Sequence, residues 1–166
     1  MTTRRTILLG TAGLAAAVAT GFGVKWWVGR ATAATDSPFE VTKTPEEWRK
    51  ILTPEQYAVL RDHDTERPWT SPLNAEKRDG TFACAGCGLP LFASKTKYES
   101  GTGWPSFYAP LDDAIGMQKD FSWGMLRDEV HCRRCGGHLG HVFKDGPEPT
   151  GLRYCINGVA LEFIPA

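Results

Sequence analysis

Apolar and polar positions divide the chain into three regimes. From Ile7 to Val24 the run is almost wholly apolar, diluted by alanine and interrupted by Gly10, Gly13, Gly21 and Gly23. Between Thr44 and Leu60 a helical period appears twice. Thr44-Pro45-Glu46-Glu47 and Thr53-Pro54-Glu55-Gln56 each place a capping hydroxyl before a proline at the first helical position, with a Glu or Gln three residues after the cap. Trp48, Ile51 and Leu52, then Tyr57 and Leu60, supply the apolar faces, so two short packing helices are predicted at the domain edge. Beyond Thr81 the apolar runs shorten and are separated by Gly, Pro and Asp. They predict strands over 82–84, 91–93, 107–109, 121–131, 139–143, 152–156 and 160–164, a small antiparallel sheet system. No internal repeat of solenoid length accompanies them.

The chain has 166 residues, 42% apolar and 23% charged, enough for one globular domain with its own core. With 19 basic and 19 acidic residues, it lacks the positive field that non-specific nucleic-acid binding needs, so no nucleic-acid partner is expected. Four of the basic residues, Arg4, Arg5, Lys25 and Arg30, lie in residues 1–34, which contain no acid, and the remainder carries a net charge of −4. A basic start, an apolar run and the small residues Ala31-Thr32-Ala33-Ala34 read as a signal peptide over residues 1–34. Thr3-Arg4-Arg5-Thr6-Ile7-Leu8 resembles a twin-arginine export signal, which implies a periplasmic protein exported after folding. An ordinary signal or an uncleaved membrane anchor is the alternative, since Ile7 to Val28 approaches the ~20 residues of a spanning helix and Lys25-Trp26-Trp27 suits a membrane interface. A linker over 35–43 and one domain over 44–166 complete the expected layout.

Five cysteines divide as two, two and one. Cys84-Ala85-Gly86-Cys87 and Cys132-Arg133-Arg134-Cys135 are each followed by glycine and lie 44 residues apart. Two thiolates at this spacing converge on one ion, and two such turns complete the tetrahedral four-sulfur shell that zinc favours. A thioredoxin-like redox pair or two disulfides compete with this reading. A closed four-sulfur site holds a fold together and leaves no open position for chemistry.

Cys155 remains. In Gly151-Leu152-Arg153-Tyr154-Cys155-Ile156-Asn157 the period of two puts Arg153, Cys155 and Asn157 on one strand face. A cation there is expected to lower the thiol pKa, and an amide can polarise a substrate oxygen. A buried structural cysteine is the plainer alternative. His138 and His141, three apart in Gly136-Gly137-His138-Leu139-Gly140-His141-Val142-Phe143, point to opposite faces of a regular strand. They reach one site only if a bulge at Gly137 or Gly140 re-aims one of them. Beside a reactive thiol they make sense as proton donors. In Gly103-Trp104-Pro105-Ser106-Phe107 an indole sits next to a proline turn, either as core or as the wall of an apolar pocket.

These segments, with Thr65-Glu66-Arg67-Pro68 and Ser100-Gly101-Thr102, occur in the order seen in the methionine-(R)-sulfoxide reductase B family, which the chain resembles over roughly residues 44–164. The resemblance implies a mainly β fold of two packed antiparallel sheets, tent- or barrel-like, with short N-terminal helices and one structural zinc ion on Cys84, Cys87, Cys132 and Cys135, and no organic cofactor. It implies reduction of the R epimer of methionine sulfoxide, free or in oxidised proteins and peptides. Cys155 is then the nucleophile and passes through a sulfenic acid. His138, His141 and Asn157 hold the sulfoxide oxygen and supply protons, Arg153 with Asp145 orders that network, and Trp104 and Phe107 contact substrate.

Two departures stand out. Many members carry a resolving cysteine where this chain has Thr102, so an external thiol from a thioredoxin-like partner or a small dithiol is expected to recycle the enzyme. The small hydroxyl residue usual after Cys-Ile-Asn is Gly158 here, followed by Val159. A monomer is expected, in contact with a membrane only if the N-terminal segment stays uncleaved. A zinc-stapled binding module with an inert Cys155 accounts for four cysteines but not for the Arg, Cys, His and Trp pattern. A thiol peroxidase would want a βαβ frame that this chain lacks.

Overall fold

The computed structural model describes residues 39–166. The export-signal and anchor readings of residues 1–34 therefore lie outside the described residues. Of the stretch read as a linker, residues 39–43 are described, and they lie against the second cysteine turn: the Val41 amide donates to the Arg134 carbonyl at 3.0 Å, and Glu40 pairs with Arg133.

Both helices start where their caps require. α1 (Pro45–Ile51) and α2 (Pro54–Asp62) each carry a complete capping box, Thr44 with Glu47 and Thr53 with Gln56, which satisfies amides that a helix start leaves without partners. Trp48, Val59 and Leu60 are the buried residues of the two helices, and the Arg61 guanidinium stacks 4.8 Å from the Trp48 ring.

The strands are β1 (Gly80–Cys84), β2 (Pro90–Ala93), β3 (Lys97–Tyr98), β4 (Ser106–Phe107), β5 (Ile115–Asp120), β6 (Arg127–Cys132), β7 (His138–Phe143), β8 (Arg153–Ile156) and β9 (Leu161–Pro165). They form a three-stranded sheet, β2-β1-β9, and a six-stranded sheet, β3-β4-β8-β7-β6-β5, antiparallel throughout. This is the mainly β, two-sheet fold expected. The predicted strand over 121–131 is divided, because a 3₁₀ turn at Ser122–Gly124 closes the β5–β6 hairpin and only its second half is β6. Its partner β5 is not apparent in the sequence: Ile115 and Gly116 are half-buried and Met117, Gln118 and Lys119 exposed, without the alternation that marks a half-buried strand.

The core lies between the sheets. Phe82 of β1 and Phe92 of β2 meet Phe107 of β4 at ring-centroid distances of 5.0 and 4.4 Å, and all three are fully buried. Val130, Tyr154 and Ile156 belong to the same buried cluster. The alternate positions of the larger sheet, Glu129, His141, Cys155 and Ser106, face away from that core, directly opposite one another across successive strands.

β7 is bulged. Val130 pairs with Gly140, but the next residue, His131, pairs with His138, so Leu139 is extra. Beside the bulge the backbones are very close: a Cβ added at Gly140 would lie 2.1 Å from the carbonyl oxygen of Cys155. Gly140→Ala should therefore push β7 from β8 and cost about 1–3 kcal/mol of stability, read as a lowered urea midpoint; an unchanged midpoint would contradict the close approach.

Candidate active site and metal centre

Cys155 sits in the middle of the larger sheet's outer face. On β8 it lies between Ser106 of β4 and His141 of β7, both directly opposite it in register. The bulge puts His138 on this face too: it pairs with His131, two positions from Glu129, and its ring meets that of His141 edge to face at a centroid distance of 5.4 Å. The condition set by the sequence is thus met by a bulge at Leu139, next to Gly140, and the two histidines share a face.

Each histidine is held by a carboxylate that the sequence reading did not single out. His138 Nδ1 is 2.6 Å from Glu129 Oε1, a fully buried contact, and His141 Nε2 is 2.8 Å from Asp120 Oδ2. The Gln118 amide donates to the other Glu129 oxygen at 2.5 Å. Burial alone would raise the Glu129 carboxyl, but hydrogen bonds from His138, His63 and Gln118 outweigh it and hold the group well below the ordinary carboxylate range. Glu129 therefore stays ionised and fixes the hydrogen-bonding role of His138 Nδ1. Burial lowers the pKa of His141, and Asp120 opposes that shift. Both acids are placed by hairpin register: Gln118 pairs with Glu129, Asp120 with Arg127, and Glu129 with His141. Sequence alone does not fix that register.

Arg153 and Asp145 form the expected pair, with Nε and Nη2 donating to the two carboxylate oxygens at 2.9 and 2.8 Å. Arg153 does not make Cys155 a ready thiolate. Burial raises the thiol pKa and outweighs both Thr102 and Arg153, which lower it. The expected lowering is thus reversed, because desolvation of a mostly covered sulfur exceeds the attraction of a guanidinium already engaged by Asp145.

Thr102 stands next to the nucleophile candidate, its Oγ1 3.8 Å from Cys155 Sγ. A chain of hydroxyls continues from it: Thr102 to Ser100 at 2.9 Å, Ser100 to Ser106 at 2.7 Å, and Ser106 to the Trp104 carbonyl at 3.1 Å. Ser106 is fully buried. Its position opposite Cys155 explains the polar residue there, a signal visible only once the pairing is known.

Two expected site residues have other surroundings. Phe107 cannot contact a substrate on the Cys155 face. Ser106 occupies that face, so its neighbour points the other way and is buried against Phe82 and Phe92 in the core. Asn157 lies just beyond the end of β8, where the period of two stops. Its amide nitrogen donates to the Leu139 carbonyl at 3.0 Å and its oxygen accepts from the Glu66 amide at 3.0 Å, so it ties the bulge to the 65–68 segment. Trp104 is half-buried, and its indole N–H donates to the Glu66 carbonyl at 3.0 Å. The Glu66 carboxylate in turn accepts from the Gly158 and Val159 amides at 2.5 and 3.0 Å. One segment thus positions the indole, the asparagine and the turn after Cys155. A cavity of about 840 Å³ between α2 and residues 64–73 is lined by none of Cys155, His138 and His141, and the chemistry is not there.

The other four cysteines converge at one end of the sheets. Cys84 ends β1 and Cys132 ends β6, and each begins a turn closed by a glycine in the left-handed region, Gly88 (φ 71°) and Gly136 (φ 66°), whose amides donate to the Cys84 and Cys132 carbonyls at 2.7 and 2.8 Å. The four sulfurs lie within 4.8 Å of one another, with Cys84–Cys135 at 3.8 Å and Cys87–Cys132 at 3.5 Å. A tetrahedron with Zn–S bonds of about 2.3 Å has an edge of about 3.8 Å. The set therefore suits one structural zinc ion, a closed shell joining a strand of each sheet.

A SelR domain matches residues 52–165. Over 127 residues the chain is 59% identical to the peptide methionine sulfoxide reductase MsrB of Pseudomonas putida (strain W619), covering 76% of this chain and 96% of that protein. It is 58% identical over 126 residues to the protein of that name from Leptospira interrogans, 75% of this chain and 96% of the relative. The MsrB of the archaeon Methanosarcina barkeri is 58% identical over 124 residues, 74% of this chain and 87% of that protein. The chain belongs to the SelR-domain family of peptide methionine sulfoxide reductases, MsrB.

Cys132→Ser should release the zinc and unfold the domain, whereas Cys155→Ser should keep zinc content and melting temperature close to those of the parent. Metal analysis and thermal melting by circular dichroism check both; loss of zinc from the Cys155 variant would overturn the division.

Proposed function

We propose that this chain is an oxidoreductase that reduces methionine-R-sulfoxide, in proteins and as the free amino acid, to methionine. The observation that carries the reading is Cys155 directly opposite His141, with the buried Glu129–His138 pair brought to the same face by the bulge. Family membership supports it.

Cys155 attacks the sulfoxide sulfur. The S=O bond breaks, the oxygen passes to Cys155 as a sulfenic acid, the substrate sulfur gains two electrons and Cys155 loses two. The Cys155 proton or an equivalent is delivered to the oxygen as charge develops on it. His138, fixed by an ionised Glu129, and His141, fixed by Asp120, are the donors within this face. Because Cys155 rests as a thiol, proton removal and proton delivery are coupled within the site. Trp104 is the apolar seat for the substrate's methyl and thioether carbons, and Asn157 and Arg153 with Asp145 position the network.

A thiol must then condense with the sulfenic acid, releasing water and forming a disulfide that a second thiol reduces. Thr102 offers a hydroxyl where a thiol would resolve in place, and the other four cysteines are taken by the zinc centre. We assign this step to an external dithiol, a thioredoxin-like protein, acting on a monomer. The sequence of residues 1–34 supports a periplasmic location through a twin-arginine-type signal.

Assayed with separated R and S epimers of a methionine-sulfoxide peptide and dithiothreitol, the protein should turn over only the R form; turnover of S alone, or of neither, would contradict the proposal. Glu129→Gln should lower kcat by about 100-fold or more, with the fold retained; a kcat within a few-fold of the parent would remove Glu129 from the mechanism. Thr102→Cys places a second thiol beside Cys155 and should yield an internal disulfide after one turnover, detected as the loss of two free thiols per chain.

A further inference from the structure

Glu129 is a carboxylate in the middle of β6 with its side chain 4% exposed. Among the described residues its hydrogen-bond and ion-pair partners are His138, His63 and Gln118, and no lysine or arginine reaches it. A buried carboxylate without a fixed cation beside it is costly. It attracts a cation that can reach it, whether a proton on an imidazole or a metal ion.

His63 supplies the entrance. It caps the C-terminus of α2 with its backbone in the left-handed region, φ 58° and ψ 32°, which histidine, like asparagine, adopts more readily than most side chains. Its side chain is 54% exposed, its Nδ1 is 3.2 Å from Glu129 Oε1, and its ring lies 5.1 Å from that of His138. One ligand atom from each of His63, Glu129 and His138 lies within 4.8 Å of the other two. A four-coordinate ion with bonds of about 2.0–2.1 Å sets its nitrogen and oxygen ligands about 3.3 Å apart. The His63–Glu129 pair already has that separation. The His138–Glu129 pair needs to open by roughly 0.7 Å to reach it.

We propose that His63, Glu129 and His138 form a second cation site, for a zinc-class divalent ion, separate from the four-cysteine centre. Two imidazoles and a carboxylate are ligands such ions take, with the fourth position left to water. An ion on His138 Nδ1 occupies the nitrogen that Glu129 faces and keeps the ring from becoming the imidazolium that donates a proton, so occupancy silences the enzyme. This silencing rests on the function proposed above; the binding does not. His63 is a ligand from outside the reacting groups, which makes it the residue to change.

The test uses the full chain with zinc in the four-cysteine site and adds Co²⁺. One further equivalent should bind, giving visible d–d bands without thiolate-to-cobalt charge transfer. In His63→Asn, chosen because asparagine tolerates the left-handed cap, affinity should fall roughly tenfold or more, and slowing by metal is read against each protein's own metal-free rate. Zn²⁺ should slow a single turnover of the R-sulfoxide peptide by the parent, with no thiol present to chelate the ion, and roughly tenfold more should be needed for the variant. Absence of a further equivalent, a thiolate charge-transfer band that moves the ion to Cys155, or equal affinity in parent and variant would each overturn the site. Binding without slowing would overturn the silencing. The cobalt spectrum reads the site even if sulfoxide reduction fails.

Discussion

A regular β-strand sends residues three apart to opposite faces, and this active site depends on β7 not staying regular. One extra residue between Gly140 and His138 carries His138 to the face that holds His141, Cys155 and Glu129. The strand can bulge there because position 140 has no side chain: its backbone lies against the Cys155 carbonyl, where a Cβ would collide. The same contact fixes the height of the nucleophile relative to the imidazoles. Asn157 binds the carbonyl of the extra residue, Leu139, and the Glu66 amide, and Glu66 also holds the Trp104 indole through its carbonyl. The bulge, the thiol and the aromatic wall are therefore one mechanically connected unit.

That unit needs a rigid support, which the two sheets provide. Their shared aromatic core is small, three phenylalanines and their neighbours, and a chain of this size gains from a further constraint. The four-sulfur shell joins the end of β1 in one sheet to the end of β6 in the other, and β6 is the strand that carries Glu129. A closed shell contributes no chemistry, yet it bears on catalysis through the strand it anchors.

Much of this was legible in the sequence where the signal is local. The two capping boxes, the Cys-x-x-Cys-Gly turns and the alternation of Arg153 and Cys155 with Tyr154 and Ile156 each follow from a few adjacent residues. What was not legible depends on partners far along the chain. Phe107 lies in the core and not against substrate, because the face of a two-residue strand is set by its pairing with β8. Glu129 and Asp120 do not stand out in the sequence because their roles come from the β5–β6–β7 register, and β5 itself has no apolar alternation to announce it. The raised pKa of the Cys155 thiol is not legible either, because a nearby cation is visible in sequence and burial is not.

Cys155 takes the oxygen from the R epimer within this one face of the sheet. The most direct measurement mixes reduced protein with one equivalent of methionine-R-sulfoxide peptide without added thiol, then locates the oxidised residue by mass spectrometry after trapping with a sulfenic-acid reagent. One methionine should form per chain with the trapped adduct on Cys155 and all four zinc-centre cysteines unmodified. Methionine formed with the adduct or a disulfide at Cys84, Cys87, Cys132 or Cys135, and Cys155 untouched, would contradict it.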